Sequence, residues 1–522
     1  MTLYLVNHRF HYELETLCRL FFPFEKITAV FSDPEAFQTG DIIVTRLELN
    51  GDKYVIYADL RFGGEWSSAQ ADMNTSEGLN ECERVMAVLL FRQLVQFCKF
   101  TPRWGILTGV RPAKLFARLA SGQGSEAARW AFSEKLLVAP EKIDLCAQVN
   151  ERQAPVLATT RPESFSLYVA VPFCPTRCRY CSFVSHTVER AGRLTEDYAL
   201  LLCRELETTA RIAKELGLRL ESVYIGGGTP TFLSVSQLER VMVAISVNFD
   251  LAHAAEYTVE AGRPDTVTAE KLEVIKRQGG VRISINPQTL SDSVLAAIGR
   301  QHTVAEFYQA FNLARRLEFC NINTDIIAGL PTDTSEGFSQ TLAGLFELAP
   351  ESITVHTLAV KKASFLAGEI GKSGEYTDPP LRHNAQINRY LALANHGLNQ
   401  CGYVPYYLYR QSKTAGNAEN VGWCKPGREG FYNIIMMEEA HTVLACGAGA
   451  VTKLKEPGGN RIERIFNYKY PYEYISRFDE ILRRKEKITE FYKKTQGTVF
   501  PVRFTPMDRE NDFGGKYDRF IF

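Results

Sequence analysis

Three cysteines, Cys174, Cys178 and Cys181, lie within eight residues, with Tyr180 just before the last. Thiolates at spacings of three and two intervening residues can hold three irons of a [4Fe-4S] cluster and leave the fourth open to a ligand that is not protein. A structural zinc wants four ligands in paired clusters, whereas the histidine near this loop is His186, five residues past Cys181. A two-cysteine redox motif would leave Cys174 unused. Ferredoxin-type clusters take four cysteines, so a triplet points to a cluster that binds substrate or cosubstrate. Pro175, Thr176, Arg177 and Arg179 between the thiols do not look like the buried setting in which free cysteine usually sits. The chain therefore reads as an enzyme.

Something rigid must carry that loop. The apolar run over 167–171, closed by Pro172, reads as a buried strand with the cysteines just past its C-terminal end. Five similar strands follow. They are 222–225 leading into Gly226-Gly227-Gly228, 257–261 holding Glu260, 281–286 leading to Gln288, 323–328 containing Asp325, and 353–358 running up to Ala359. Between them, stretches such as 195–216, 236–247, 268–278 and 303–317 carry apolar residues at helical spacing. Strands alternating with crossover helices imply parallel pairing and right-handed connections, so the α/β core expected over 161–360 is a partial (β/α)6 parallel barrel. Chemistry in such barrels gathers at the C-terminal strand ends, where these polar and glycine features fall. The run Gly226-Gly227-Gly228-Thr229-Pro230-Thr231 lets a ligand approach the backbone. It lacks the lysine of a Walker A loop and the spaced glycines of a dinucleotide fingerprint.

Composition and the flanks set wider bounds. A chain of 522 residues exceeds one hydrophobic core. Its 60 basic and 60 acidic side chains give no net field toward nucleic acid or an anionic membrane. Charged residues from His8 onward exclude a signal-peptide core, and no apolar run approaches a membrane span. Twelve cysteines are too sparse for a disulfide scaffold, so reduced thiols and a cytoplasmic location are expected. Residues 1–160 read as an α+β accessory domain, with a hairpin over 41–60, a helix over 78–97 and a linker over 156–164. Residues 361–490 read as a mostly helical domain covering the open barrel side. It includes a helix over 381–398, a turn over 427–430 and an aromatic helix over 470–483. An irregular tail, 491–522, follows. Cys401, Cys424 and Cys446 are too far apart for a second cluster and read as ordinary thiols.

The cysteine triplet followed by the glycine-threonine-proline run resembles the radical S-adenosylmethionine (SAM) enzymes. More narrowly, Tyr168-Val169-Ala170-Val171-Pro172-Phe173-Cys174 resembles the strand before the cluster in the oxygen-independent coproporphyrinogen III oxidase group. Within that group, Trp104-Gly105-Ile106-Leu107-Thr108-Gly109-Val110-Arg111-Pro112 and Asn420-Val421-Gly422-Trp423 are most like the long HemZ-type coproporphyrinogen dehydrogenases. The resemblance is close over about 165–360 and loose toward 485. It implies that Cys174, Cys178 and Cys181 ligate the cluster, that SAM chelates the open iron, and that Tyr180 faces the adenine. Gly228 and Thr229 would hold the methionyl part, and Gln288, Arg300, Asp325 and Ala359 would line the same SAM. The planar fork of Arg300 suits a carboxylate, and Asp325 can accept from ribose hydroxyls. Tyr168, Gly227 and Glu260 match family positions that contact a second SAM. Taken alone, Asp325 or Glu260 reads more plainly as a capped or salt-bridged carboxylate, and Gln288 as a loop residue; what joins them is their place at strand ends.

The implied reaction begins with one electron passing from the reduced cluster into SAM, giving a 5'-deoxyadenosyl radical. Hydrogen leaves a propionate β-carbon of coproporphyrinogen III, carbon dioxide follows, and a vinyl group remains. Two such events give protoporphyrinogen IX. Implied partners are coproporphyrinogen III or a related porphyrin and a one-electron donor such as flavodoxin or ferredoxin, with no nucleic acid and no membrane span. Arg111 and Lys114 are candidates for meeting propionates, with a solvated basic patch as the plainer reading.

Two departures bear on the substrate. The best-known oxidases carry a fourth cysteine two positions past the third, where this chain has Phe183. Ser182 and Phe183 instead resemble the haem-chaperone branch, which binds and passes on haem. That branch usually shows a His-Asn pair in its C-terminal domain. The matching stretch here, Gly416-Asn417-Ala418-Glu419-Asn420, lacks the histidine, which favours an enzyme. His383-Asn384 lies on an earlier helix and reads as surface. Other group members modify porphyrins differently, by methyl transfer or ring opening.

Overall fold

The computed structural model describes residues 1–23, 25–34, 40–181, 186–187, 192–360, 364–366, 380–411 and 417–496. The side chains at 186, 187, 192, 380–383 and 496 fall outside that description. So do Ser182, Phe183, Gly416 and the part of the expected tail from 497 to 522.

The N-terminal part is built on a mixed five-stranded sheet of β1 (Thr2–Val6), β2 (Thr28–Val30), β3 (Ile42–Asn50), β4 (Lys53–Phe62) and β5 (Glu65–Asn74). Its order is β2-β1-β3-β4-β5, and the expected hairpin is the β3–β4 pair, closed by Asn50 opposite Lys53. Helix Leu79–Cys98 lays Met86, Leu90, Phe91 and Leu94 into the core of this part. Helix Pro140–Ala158 then runs three residues into the expected linker. The reason is apolar: Val156 and Leu157 pack against Tyr406, Tyr407 and Cys424, so the helix continues past Pro155.

The central sheet is larger. It contains β6 (Ser164–Val171), β9 (Arg219–Gly227), β10 (Glu256–Glu260), β11 (Arg282–Ser284), β12 (Ile322–Ala328) and β13 (Ser352–Thr357). These six strands are all parallel, in the order β13-β12-β11-β10-β9-β6. Along β6, Leu167, Val169 and Val171 face the helices at 0% exposure, while Tyr168 and Ala170 fall on the other face with Ala445 and Ala450. This two-residue alternation lets one strand bury an apolar row on one face and present small or polar groups on the other. Each buried aliphatic side chain is worth about 1.5–3 kcal/mol.

Side-chain caps fix the helix starts: Ser234 with Gln237, and Thr303 with Glu306, each form a capping box. Helix Thr195–Glu215 follows β6, Val235–Asn248 follows β9, Ala269–Arg277 follows β10, and Val304–Arg316 follows β11. The strand at 281–286 is shorter than its sequence suggests. Asn286 leaves the ladder because its Oδ1 accepts from Ser284 Oγ at 2.6 Å and from Asp325 N at 3.1 Å.

Residues on both sides of position 360 share this one sheet. β14 (Val404–Arg410) and β15 (Glu419–Cys424) extend it antiparallel beyond β13. β16 (Thr442–Cys446) lies parallel beside β6, and β17 (Val451–Lys455) and β18 (Ile462–Phe466) complete the eleven strands. The rest of the C-terminal region is helical, with long helices Pro380–Gln400 and Phe478–Gln496. The single aromatic helix expected over 470–483 is two, Pro471–Ser476 and Phe478–Gln496, because the backbone breaks at Arg477 (ψ 32°). Among the described residues no helix is long and apolar enough to cross a membrane.

The two parts are joined by a buried polar seam. Trp104 Nε1 donates to Glu419 Oε2 at 2.9 Å, Lys142 pairs with Glu419 Oε1, and Arg410 Nη1 donates to Leu107 O at 2.6 Å. The motif around Trp104 is thus a structural brace against β14 and β15. Arg111 and Lys114 are committed as well: Arg111 pairs with Glu439, and Lys114 donates to Glu438 O at 3.0 Å. A contact with substrate carboxylates is not what the fold assigns them. Asn384 also differs from its expected place on the surface, being only 3% exposed, while the His383 side chain lies outside the described residues.

Candidate cluster and cofactor site

The cysteine loop begins where β6 ends. Pro172 closes that strand, and a short strand β7 (Phe173–Cys174) pairs with β8 (His186–Thr187). Cys178 is buried and Cys174 and Cys181 are half-buried, and none of the three is in a disulfide. The loop is pinned by the end of helix Asp292–Ala297 and by Leu366. Arg179 N donates to Ile298 O at 2.9 Å, Arg179 Nη1 to Ala297 O at 2.9 Å, and Leu366 N to Arg179 O at 3.0 Å. Tyr180 packs with Val294, Leu295, Ile298, Ile327 and Leu358.

The glycine run crosses this loop at close quarters. Gly228 N donates to Val171 O at 2.7 Å and Thr229 N to Phe173 O at 2.8 Å. A Cβ on Gly228 would meet Phe173 O at 2.6 Å, and Gly227 holds φ at +108° with Val171 backbone about 3.1 Å from its would-be Cβ. Only glycine fits both positions. Thr229 Oγ1, 1% exposed, donates to Cys174 Sγ at 3.4 Å.

The other expected contacts ring the same strand ends. Arg300 Nη1 donates to Asn286 O at 2.9 Å and Gly262 O at 3.2 Å, while its buried Nε has no protein partner. Gln288 adopts φ +68°, a left-handed backbone that a non-glycine residue rarely takes, and bridges to β12 through Asp325 O and Ile327 N. Asp325 accepts from Asn323 Nδ2 at 2.8 Å and lies 3.8 Å from His356 Nε2. Burial alone would raise its pKa, but hydrogen bonds from His356, Asn323 and Thr354 outweigh this and hold the carboxyl below its usual range. Ala359 lies two residues past β13, between Leu358 and Val360 of the apolar group that holds Tyr180.

Glu260 ends β10. Tyr224 donates to its Oε1 at 2.5 Å, and burial pushes the carboxyl up to about 7. Around it, Tyr168, Tyr224 and Tyr432 stack, with ring centroids 4.5 Å apart for Tyr224 and Tyr432. The buried Tyr432 hydroxyl has no protein partner. His356 continues this wall, with Nδ1 3.4 Å from Tyr409 OH. Tyr224, His356, Tyr409 and Tyr432 were not among the sequence candidates. The alternation that puts Tyr168 inward also puts Tyr224 inward, because the two are paired in register.

A family model described as the radical SAM superfamily matches residues 168–343. The chain is 36% identical over 431 residues to the oxygen-independent coproporphyrinogen-III oxidase-like protein HemZ of Bacillus subtilis, covering 81% of this chain and 84% of that one. The chain belongs to the radical SAM family, in the oxygen-independent coproporphyrinogen III oxidase group. Within the same group it is 32% identical to the heme chaperone HemW of B. subtilis, covering 68% of this chain and 87% of that protein. Among solved structures, the radical SAM coproporphyrinogen III oxidase HemN of Escherichia coli aligns with a TM-score of 0.50 at 25% identity, over 63% of this chain and 72% of that one.

Membership in the radical SAM superfamily implies a [4Fe-4S] cluster and SAM, and the residues fit both. Hydrogen-bond donors aimed at Cys174 Sγ and Cys178 Sγ suit thiolates. The unpartnered Arg300 Nε and the glycine-only crossing suit a polar ligand at the loop. Among the described residues, no three His, Cys, Asp or Glu side chains converge tightly enough for one metal ion. That is compatible with a cluster, whose thiolate ligands bind separate irons.

Proposed function

We propose that this protein is an oxygen-independent coproporphyrinogen III dehydrogenase, which converts two propionates to vinyl groups and yields protoporphyrinogen IX. The observation that carries this reading is the convergence at one set of strand ends of the cysteine loop, the Gly226-Gly227-Gly228 crossing, Arg300, Asp325 and Glu260. It occurs in a chain that matches a coproporphyrinogen-III oxidase-like relative over most of both lengths.

In this reading Cys174, Cys178 and Cys181 hold the cluster. Gly228, Thr229, Gln288, Arg300, Asp325, Ala359 and Tyr180 hold one SAM. Tyr168, Gly227 and Glu260 face the place of a second. Bound there, cluster and SAM supply a radical able to take hydrogen from an unactivated C–H bond. The chain's own residues supply position and dryness. Arg300 offers its fork to a carboxylate. Asp325, kept ionised by His356 and Asn323, offers acceptors to hydroxyls. The Tyr168, Tyr224 and Tyr432 stack walls the lumen with aromatic faces that exclude water. A one-electron donor and a cytoplasmic location complete the proposal.

A second reading, haem transfer, is favoured by the 87% of the HemW relative that this chain covers. Against it stands the missing histidine in the stretch ending at Asn420. Asn420 is itself engaged in the sheet, its Oδ1 accepting from Thr357 N at 2.9 Å. Anaerobically reconstituted protein supplied with SAM, a reductant and coproporphyrinogen III is expected to yield protoporphyrinogen IX and 5'-deoxyadenosine. SAM cleavage without vinyl product, together with stable haem uptake and release to an acceptor protein, would overturn the dehydrogenase in favour of the chaperone.

A further inference from the structure

Arg263, three residues beyond Glu260, has no role in the reading above. It is 3% exposed, and its guanidinium reaches across to the cysteine loop. Nη1 donates to Cys178 Sγ at 3.8 Å and to Thr176 O at 3.3 Å, and Nη2 donates to Thr176 Oγ1 at 3.0 Å. The other side of the fork is held by Asp265, with Nε to Oδ1 at 3.1 Å and Nη2 to Oδ2 at 3.2 Å. Asp265 is the more exposed partner, 19% against 4%, so water screens the carboxylate while the guanidinium faces the sulfur in a dry setting. The backbone here is also fixed. Thr266 Oγ1 donates to Arg263 O at 2.8 Å and bonds Thr231 Oγ1 at 2.6 Å, tying Arg263 to the glycine-threonine-proline run.

A buried cation whose fork is divided between the cysteine loop and one carboxylate does more than fill space. Charge-assisted donors to sulfur stabilise the thiolate form. Net charge and hydrogen bonds at the sulfurs are what set the reduction potential of an iron-sulfur cluster. We propose that Arg263 is a positioning residue that clamps the cysteine loop through Thr176 and raises the reduction potential of the cluster through Cys178. This rests on the reading of the three cysteines as cluster ligands. A cation beside the sulfur favours the more negative, reduced cluster. Asp265 opposes it, so the two side chains form a pair whose balance sets how easily the electron enters.

The test is a redox titration of the reconstituted full-length protein, without SAM or substrate, followed by the electron paramagnetic resonance signal of the reduced cluster. Arg263→Gln is expected to load iron as the wild type does and to shift the reduction equilibrium at least tenfold against the reduced form, about 59 mV for one electron. Arg263→Lys, which keeps the charge but loses the fork, should shift less in the same direction. Asp265→Asn should shift in the opposite direction. Wild-type potential in a fully loaded Arg263→Gln protein would overturn the proposal, as would a downward shift in Asp265→Asn. Should Arg263→Gln fail to fold, the opposite signs of Arg263→Lys and Asp265→Asn decide. A wild-type chain that takes up no iron would instead overturn the cluster reading itself.

Discussion

Two glutamates in this fold, Glu205 buried and Glu260 half-buried, are treated in opposite ways. Glu205, on the helix behind β6, has a complete set of partners: Lys485 Nζ at 2.9 Å, Asn467 Nδ2 at 2.7 Å, Gly447 N at 2.8 Å and Tyr474 OH at 2.6 Å. Glu260, in the lumen, has the Tyr224 hydroxyl and the Gly227 backbone, and burial pushes it up to about 7. The first network is closed, and it docks β16 and helix Phe478–Gln496 against the barrel. The second is open. The same openness recurs at Arg300 Nε and the Tyr432 hydroxyl. A buried polar group with every bond made is architecture, whereas a half-buried carboxyl near unpartnered donors such as Arg300 Nε and the Tyr432 hydroxyl marks a place for a ligand.

The largest effect that would break this contrast lies at the loop. Cys178→Ala is expected to abolish iron-sulfur absorbance and all SAM cleavage while the far-ultraviolet circular dichroism stays native. Retained absorbance would remove Cys178 from the ligand set. On the closed side, Lys485→Met leaves Glu205 buried without its cation, for a cost of about 3–5 kcal/mol in urea unfolding. Iron content per folded molecule should not change.

Glu260→Gln probes the open side. A carboxyl whose folded pKa is raised to about 7, above the ordinary glutamate value, stabilises fully only while protonated. That stability is lost as pH rises from about 4.5 to about 7. The glutamine variant should therefore gain on the wild type across this window, reaching about 1–3 kcal/mol above pH 7. A flat difference between pH 4 and pH 8 would contradict it. Arg111→Ala, at a partly exposed ion pair with Glu439, should cost about 1 kcal/mol or less and leave SAM cleavage unchanged.

The architecture was more legible in the sequence than the site. Six apolar runs and their helices fall within a few residues of the observed strands, because each strand keeps a row of buried aliphatic side chains on alternate positions. The cysteine loop and glycine run were legible for the same reason: their residues are neighbours in the chain. Arg263, Tyr224, His356, Tyr409 and Tyr432 were not, since they come from separate elements: Tyr224 from β9, His356 from β13, Tyr409 from β14, Arg263 from the turn after β10 and Tyr432 from helix Phe431–Glu438. The seam of Trp104 with Glu419 joins residues 315 positions apart. Local pattern carries no trace of such pairing.

The central claim is that the cysteine loop holds a cluster with one iron open to SAM. Electron paramagnetic resonance of the reduced, reconstituted protein before and after adding SAM tests it most directly. The account predicts a new spectrum with SAM that is lost when Arg300 is replaced by alanine. A fully loaded cluster whose spectrum ignores SAM would contradict it.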